Sequence, residues 1–159
     1  MTYNDAIQWL CDNSIMNEET GTVFTFGDDI TESPERRMVD TINKPIFLHH
    51  FPAKNKPFYM AREVNDPSVT QSVDLLLPTV GEIVGGSMRT TNLQWMLERM
   101  KEEKVDPSSY YWYTDLRKYG SSSSAGWGIG VERLLCWFLG LHNIRDACLF
   151  PRYIGRASP

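Results

Sequence analysis

Cysteine, histidine, positive charge and long apolar runs are all scarce in this chain, and each shortage removes a class of function. Three cysteines, Cys11, Cys136 and Cys148, stand too far apart for a zinc-binding pair and are too few for a disulfide framework. Cys136 falls in an apolar segment and reads as a buried thiol. The histidines make no metal site: His49 and His50 are adjacent on a predicted strand and should face opposite ways, and His142 has no partner near it. No apolar run is long enough to cross a bilayer, and the N-terminus lacks a signal-peptide pattern. A formal net charge of −4 argues against gripping nucleic acid by charge alone. No serine elbow or cysteine–histidine signature suggests hydrolysis. With 159 residues, 42% of them hydrophobic, the chain can bury one core. These bounds point to a single domain in a reducing, cytosolic setting, away from membranes.

The pattern of elements is mixed α and β, with the strands grouped before the last helices. Thr2 or Asn4 can cap a short helix through Ala6, Ile7, Trp9 and Leu10. Residues 13–30 are polar and read as a loop. Ser33-Pro34-Glu35 predicts a helix capped by Ser33 and running to about Asn43. Residues 45–51 and 58–62 are strand-like and predict a hairpin with a long polar connection. Residues 71–77 and 82–89 predict a second antiparallel pair, followed by helices near 91–103 and 107–118, the latter capped by Asp106. The block Tyr110-Tyr111-Trp112-Tyr113 reads as core, and Ser121 to Ser124 as a loop.

The richest stretch is Gly126-Trp127-Gly128-Ile129-Gly130-Val131-Glu132-Arg133-Leu134-Leu135. Its glycines let a planar or phosphate-bearing ligand approach the backbone without meeting a Cβ. The helix that follows is apolar nearly all round, a composition that predicts burial. Arg133 in its first turn sits at the wrong end of the helix dipole. An anion or an aromatic plane would justify it there, and ATP offers both. The same pattern also fits a strand-to-helix turn with no ligand and Arg133 paired to a carboxylate. A dinucleotide fingerprint fits less well, because Arg133 stands where its third glycine belongs.

A second constellation lies in Gly81 to Arg89. Strict alternation puts Glu82 and Arg89 on opposite faces of a strand, and a bulge at Gly85-Gly86 would re-aim Arg89 toward Glu82. Glu82 can then hold Mg²⁺ between phosphates, and Arg89 can bind the oxygen of a small polar substrate. A solvated salt bridge on an edge strand fits the same spacing.

These residues resemble a known family. Gly128 to Arg133 is similar to the third signature motif of class II aminoacyl-tRNA synthetases. The runs DLLLPTVGEIVGGSMR, YYWYTDLRKYG and GIGVERLLCWFLGLHNIRDACLFPR, with the closing RASP, resemble the aspartyl/asparaginyl branch, and the eukaryotic cytosolic asparaginyl type most closely. The resemblance implies an α+β fold, an antiparallel β-sheet flanked by helices, covering the C-terminal part of the catalytic domain. The anticodon-binding domain, the dimer-forming first motif and the second motif with its α-phosphate arginine would be absent. It implies a fragment, inactive alone, of an asparagine-tRNA ligase that is a homodimer at full length, with ATP, Mg²⁺, asparagine and tRNA(Asn) as ligands. Arg133 and Glu82 would be catalytic, with Ile83, Gly128, Gly130, Val131 and Glu132 joining them around ATP. Glu82 would also hold the Mg²⁺, and Gly85 and Arg89 would bind the amino acid. One departure stands out: Ser123-Ser124 replace the family's usual Pro-His. Two other readings stay open, a non-catalytic paralogue binding a nucleotide or protein partner, and an ATP-dependent asparagine synthetase built on the same domain.

Overall fold

Thr2 starts the first helix with a reciprocal cap: its hydroxyl accepts from the Asp5 N–H, and the Asp5 carboxylate accepts from the Thr2 N–H. In this computed structural model, which describes residues 1–157, helix α1 spans Tyr3–Asp12 and buries Tyr3, Ala6, Ile7 and Leu10. Helix α2 spans Glu32–Ile42. Thr31, not Ser33, is its N-cap, and Ser33 donates instead to Glu18. Pro34 is tolerated in the first turn because an N–H there has no helical partner to lose. Asn43 ends the helix in the left-handed conformation.

One antiparallel sheet follows, in the order β1 (Ile46–His49), β2 (Ser72–Leu77), β3 (Gly81–Met88) and β4 (Ala125–Ile129). The β2–β3 hairpin matches the sequence expectation. The predicted pairing of 45–51 with 58–62 does not form. Pro52 and Pro57 lack the N–H that a ladder needs, and Ala53–Asn55 turns as a 3-10 helix. Met60 and Arg62 make only isolated bridges, to Arg89 and Thr70, while β1 pairs with β2. The strand also ends at His49. His50 turns to a φ of +61°, so the two histidine rings hydrogen-bond to each other rather than facing apart.

Helix α3 spans Leu93–Glu102, with Asn92 as its cap. Asp106 caps a 3-10 turn at Pro107–Tyr110, and α4 begins only at Tyr111, running to Lys118. Helix α5 spans Val131–Leu139 and is followed by a 3-10 turn at Ile144–Ala147. The last residues of the RASP run, 158–159, lie outside the described part.

The larger core joins α1 and α2 to the inner face of the sheet through Tyr3, Leu10, Met38, Val39, Leu48 and Leu76. Burying each such side chain contributes on the order of 2 kcal/mol. A smaller core holds Phe58, Met96 and Met100, with Tyr110 and Tyr113 against it. The remaining aromatics of that block are not core: Tyr111 and Trp112 are exposed. Helix α5 departs further from expectation. Only Cys136 is buried, and Phe138 and Leu139 are each 66% exposed. Its apolar composition calls for a layer that the described residues do not supply.

Candidate nucleotide and amino-acid site

The bulge in β3 decides where the acidic side chains point. Leu75 pairs with Val84 and Leu76 with Glu82, which leaves Ile83 as an extra residue. The irregularity therefore precedes Gly85-Gly86, which pair regularly with Asp74 and Val73. Its effect is the one expected of a bulge at the glycines: Glu82 crosses to the side of Gly85. A Cβ built on Gly85 would lie 2.8 Å from Glu82 Oε1 and 3.3 Å from Asp74 Oδ1. Asp74, Gly85 and Gly128 are neighbours across three strands. Two carboxylates thus converge over a position without a side chain, beside a glycine with open space above it.

Positive charge meets them from a loop. Lys56 Nζ lies 3.0 Å from Asp74 Oδ2 and 3.7 Å from the centre of the Phe51 ring. Burial and the Asp74 charge raise the Glu82 pKa, while Lys56 and Arg133 pull it back. Lys56, Asp74 and Glu82 share a cavity of about 580 Å³ with Arg89, Trp127 and Gly128. Among the described residues no three His, Cys, Asp or Glu side chains gather into a metal cage. Two carboxylates suit Mg²⁺, which keeps most of its shell as water and substrate phosphate. The donor set fits the ion.

Arg89 closes the other end of the cavity. Its Nη1 donates to Ser87 Oγ at 3.0 Å, and its Cζ lies 4.7 Å from the centre of the Tyr59 ring. A Cβ on Gly126 would fall 2.5 Å from Arg89 Nη2, so that glycine makes room for the guanidinium. No salt bridge joins Arg89 to Glu82; the bridging acid in this cavity is Asp74, held by Lys56.

Arg133 reaches the same strand from the far side. Its Nη1 donates to the Glu82 carbonyl, and the stem lies over Gly130, whose Cβ would be 3.4 Å from Arg133 Cβ. The Gly130 N–H donates to the Ile83 carbonyl at 2.9 Å, which seats the helix start beside the bulge. Ile83 itself is buried, whereas Val131 and Glu132 are exposed. Arg133 has no carboxylate partner among the described residues. It lines a second cavity of about 510 Å³ with Glu32, Arg36, Cys136 and His142, not the one that holds the Glu82 carboxylate. Arg133 and Glu82 are therefore adjacent through one hydrogen bond but open into different spaces. Gly128 lies in the Glu82 cavity and Gly130 under Arg133.

Sequence reasoning missed Asp74, Lys56, Tyr59 and Glu35. Asp74 was findable, since it falls in the inward phase of Ser72, Asp74 and Leu76. Lys56 lies in the polar connection, and Tyr59, within the stretch 58–62 that reads as a strand, stands instead in a turn. Glu35, on α2, is pushed from 4.5 to about 7, first by burial and then by Glu82 and Asp74; contact with the Glu82 backbone and Arg133 oppose the shift. A raised carboxyl pKa means the fold favours the protonated form. That contribution is complete below pH 4.5 and lost as pH rises through about 7. The loss is on the order of 3 kcal/mol at most. Glu35→Gln should therefore match the wild-type melting temperature near pH 5 and exceed it at pH 8. Melting curves for both proteins across that range check this, and parallel pH profiles would contradict it.

Comparison with known proteins places the chain in a family. The family model described as tRNA synthetases class II (D, K and N) matches residues 1–154. The cytoplasmic asparagine–tRNA ligase of Mus musculus is 54% identical over the whole chain, which spans 28% of that relative's length. The structure of Entamoeba histolytica asparaginyl-tRNA synthetase in complex with asparaginyl-adenylate superposes with a TM-score of 0.92 at 51% identity, covering all of this chain and 36% of that one. The Pyrococcus horikoshii asparaginyl-tRNA synthetase complexed with asparaginyl-adenylate superposes at 0.88 with 40% identity, covering 99% of this chain and 35% of that one.

Proposed function

Because this chain belongs to the class II tRNA synthetases of the D, K and N group, we propose that it is the part of an asparagine–tRNA ligase that holds ATP and reads the asparagine side chain. Asparagine, ATP and tRNA(Asn) are then the substrates, and the working protein is a longer, cytoplasmic, homodimeric chain. The observation that carries this reading is the single cavity in which Arg89 faces the Asp74 and Glu82 carboxylates across Gly85 and Gly128. An amide-bearing amino acid at Arg89 and a triphosphate near Glu82 would lie end to end.

The chemistry needs positioning more than a protein nucleophile. The asparagine carboxylate oxygen bonds to the ATP α-phosphorus, and the bond to the departing pyrophosphate breaks. The tRNA 3′-terminal hydroxyl then attacks the aminoacyl carbonyl, AMP leaves with the bonding electrons, and the hydroxyl proton passes to the departing phosphate. Glu82, with Asp74 beside it, would hold Mg²⁺, which supplies neutralisation of phosphate charge. Gly85 and Gly128 leave room for the substrates, and Arg89 bonds the asparagine side-chain oxygen. Released from the Glu82 carbonyl, the Arg133 guanidinium can stack on adenine and reach the γ-phosphate. Ile83, Val131 and Glu132 would contribute the strand and helix-start backbone around the nucleotide.

Asparagine-dependent ATP–pyrophosphate exchange by the full-length protein tests this. Arg89→Lys replaces a planar fork by a point charge. The loss in kcat/KM for asparagine should be at least roughly tenfold, with the KM for ATP moved less. Equal losses for both substrates would make Arg89 general scaffolding. A second reading draws on the separate cavities of Arg133 and Glu82: a non-catalytic relative would bind ATP yet show no exchange.

A further inference from the structure

A charged group that must recognise a neutral amide needs to be held without being neutralised. Among the described residues Arg89 takes part in no salt bridge. Three uncharged contacts hold it instead. The buried Ser87 hydroxyl accepts from one edge of the guanidinium, the Gly126 backbone passes close on one side, and the Tyr59 ring lies 4.7 Å from Cζ. An aromatic face attracts a guanidinium while leaving its N–H donors free. A carboxylate in the same place would consume two of them.

Tyr59 is itself fixed from two directions. Its carbonyl accepts from the Thr90 N–H at 2.9 Å, and Ala61 donates to the Met88 carbonyl at 2.9 Å, which stitches this loop to the end of β3. Its ring meets Phe58 edge-on at 5.6 Å, and Phe58 belongs to the core of α3 with Met96 and Met100. Tyr59 lines both the substrate cavity and an aromatic pocket of about 280 Å³ formed with Phe58, Tyr110 and Tyr113. A continuous packed path therefore runs from the α3 core through Phe58 and Tyr59 to Arg89.

We propose that Tyr59 is a positioning residue that sets the plane of the Arg89 guanidinium and thereby the preference for asparagine over aspartate. The inference rests on Arg89 being the side-chain reader proposed above. A fixed fork presents its donors to one amide oxygen in one orientation. A loose guanidinium still attracts the full charge of an aspartate carboxylate from many orientations, so loosening it penalises asparagine more.

The test is ATP–pyrophosphate exchange by the full-length protein carrying Tyr59→Phe, Tyr59→Leu or Tyr59→Met, with asparagine and with aspartate. Tyr59→Phe keeps the ring and should stay within about twofold of wild type. Tyr59→Leu should raise the asparagine KM about tenfold, leave the ATP KM within about twofold, and narrow the asparagine-to-aspartate ratio. Tyr59→Met restores volume without a π face and should behave as Tyr59→Leu, which covers the case of a leucine variant that does not fold. An unchanged asparagine KM in either ring-less variant, a loss shared equally with ATP, or a defect in Tyr59→Phe as large as in Tyr59→Leu would overturn the role of the ring. A wild-type protein with no asparagine-dependent exchange would instead remove the reading of Arg89, and this inference with it.

Discussion

Arg133→Ala should lower asparagine-dependent ATP–pyrophosphate exchange of the full-length protein by about a hundredfold or more, the scale seen when one preorganised charge is removed from a transition state. The guanidinium sits at the start of a helix, where the backbone offers it no help. Among the described residues its one side-chain hydrogen bond is to the Glu82 carbonyl, a contact that alone would justify only a structural role. The helix survives its loss, because the Gly130 N–H remains bonded to Ile83 and Gly130 remains the cap. Melting temperature should therefore change little while exchange collapses. Arg133→Lys keeps charge but not the stacking plane and should fall between the two. A large drop in melting temperature with proportionate activity would assign Arg133 to scaffolding.

Glu82→Gln should cost a similar factor, about a hundredfold, and should move the magnesium dependence to higher concentration. Glu82 and Asp74 already oppose each other across Gly85, and burial makes the ionised pair costly. A cation relieves that cost, and protons compete with it for Glu82. Because burial and the Asp74 charge raise the Glu82 pKa, apparent magnesium affinity should weaken as pH falls toward the acid range. Glu82→Gln should flatten that dependence. A magnesium curve that keeps its midpoint and pH dependence in the variant would place the ion elsewhere.

Much of this arrangement was legible in the chain. The β2–β3 hairpin followed from alternation, α1 from the Thr2 cap and the spacing of Ala6, Ile7, Trp9 and Leu10, and the helix start at Val131 from the glycines before it. What escaped has physical causes. A bulge at Ile83 carries no glycine signature, so its place could not be read, although its consequence for Glu82 could. His50 adopts a positive φ that its sequence gives no reason to expect. The apolar composition of α5 predicts a buried helix, yet Cys136 is its one buried residue and Phe138 and Leu139 are each 66% exposed. Lys56 and Tyr59 reach the cavity from a loop pinned by backbone bonds to β3 and Thr90, which are long-range contacts with no periodic trace.

The central claim is that Arg133 and Glu82 serve one ATP, although their side chains open into separate cavities. A structure of the full-length protein with ATP and Mg²⁺ tests it most directly. The account predicts the Arg133 guanidinium freed from the Glu82 carbonyl and stacked on adenine, with Mg²⁺ between Glu82 and the phosphates above Gly85 and Gly128. ATP bound with Arg133 still on that carbonyl, or with no phosphate near Glu82, would contradict it.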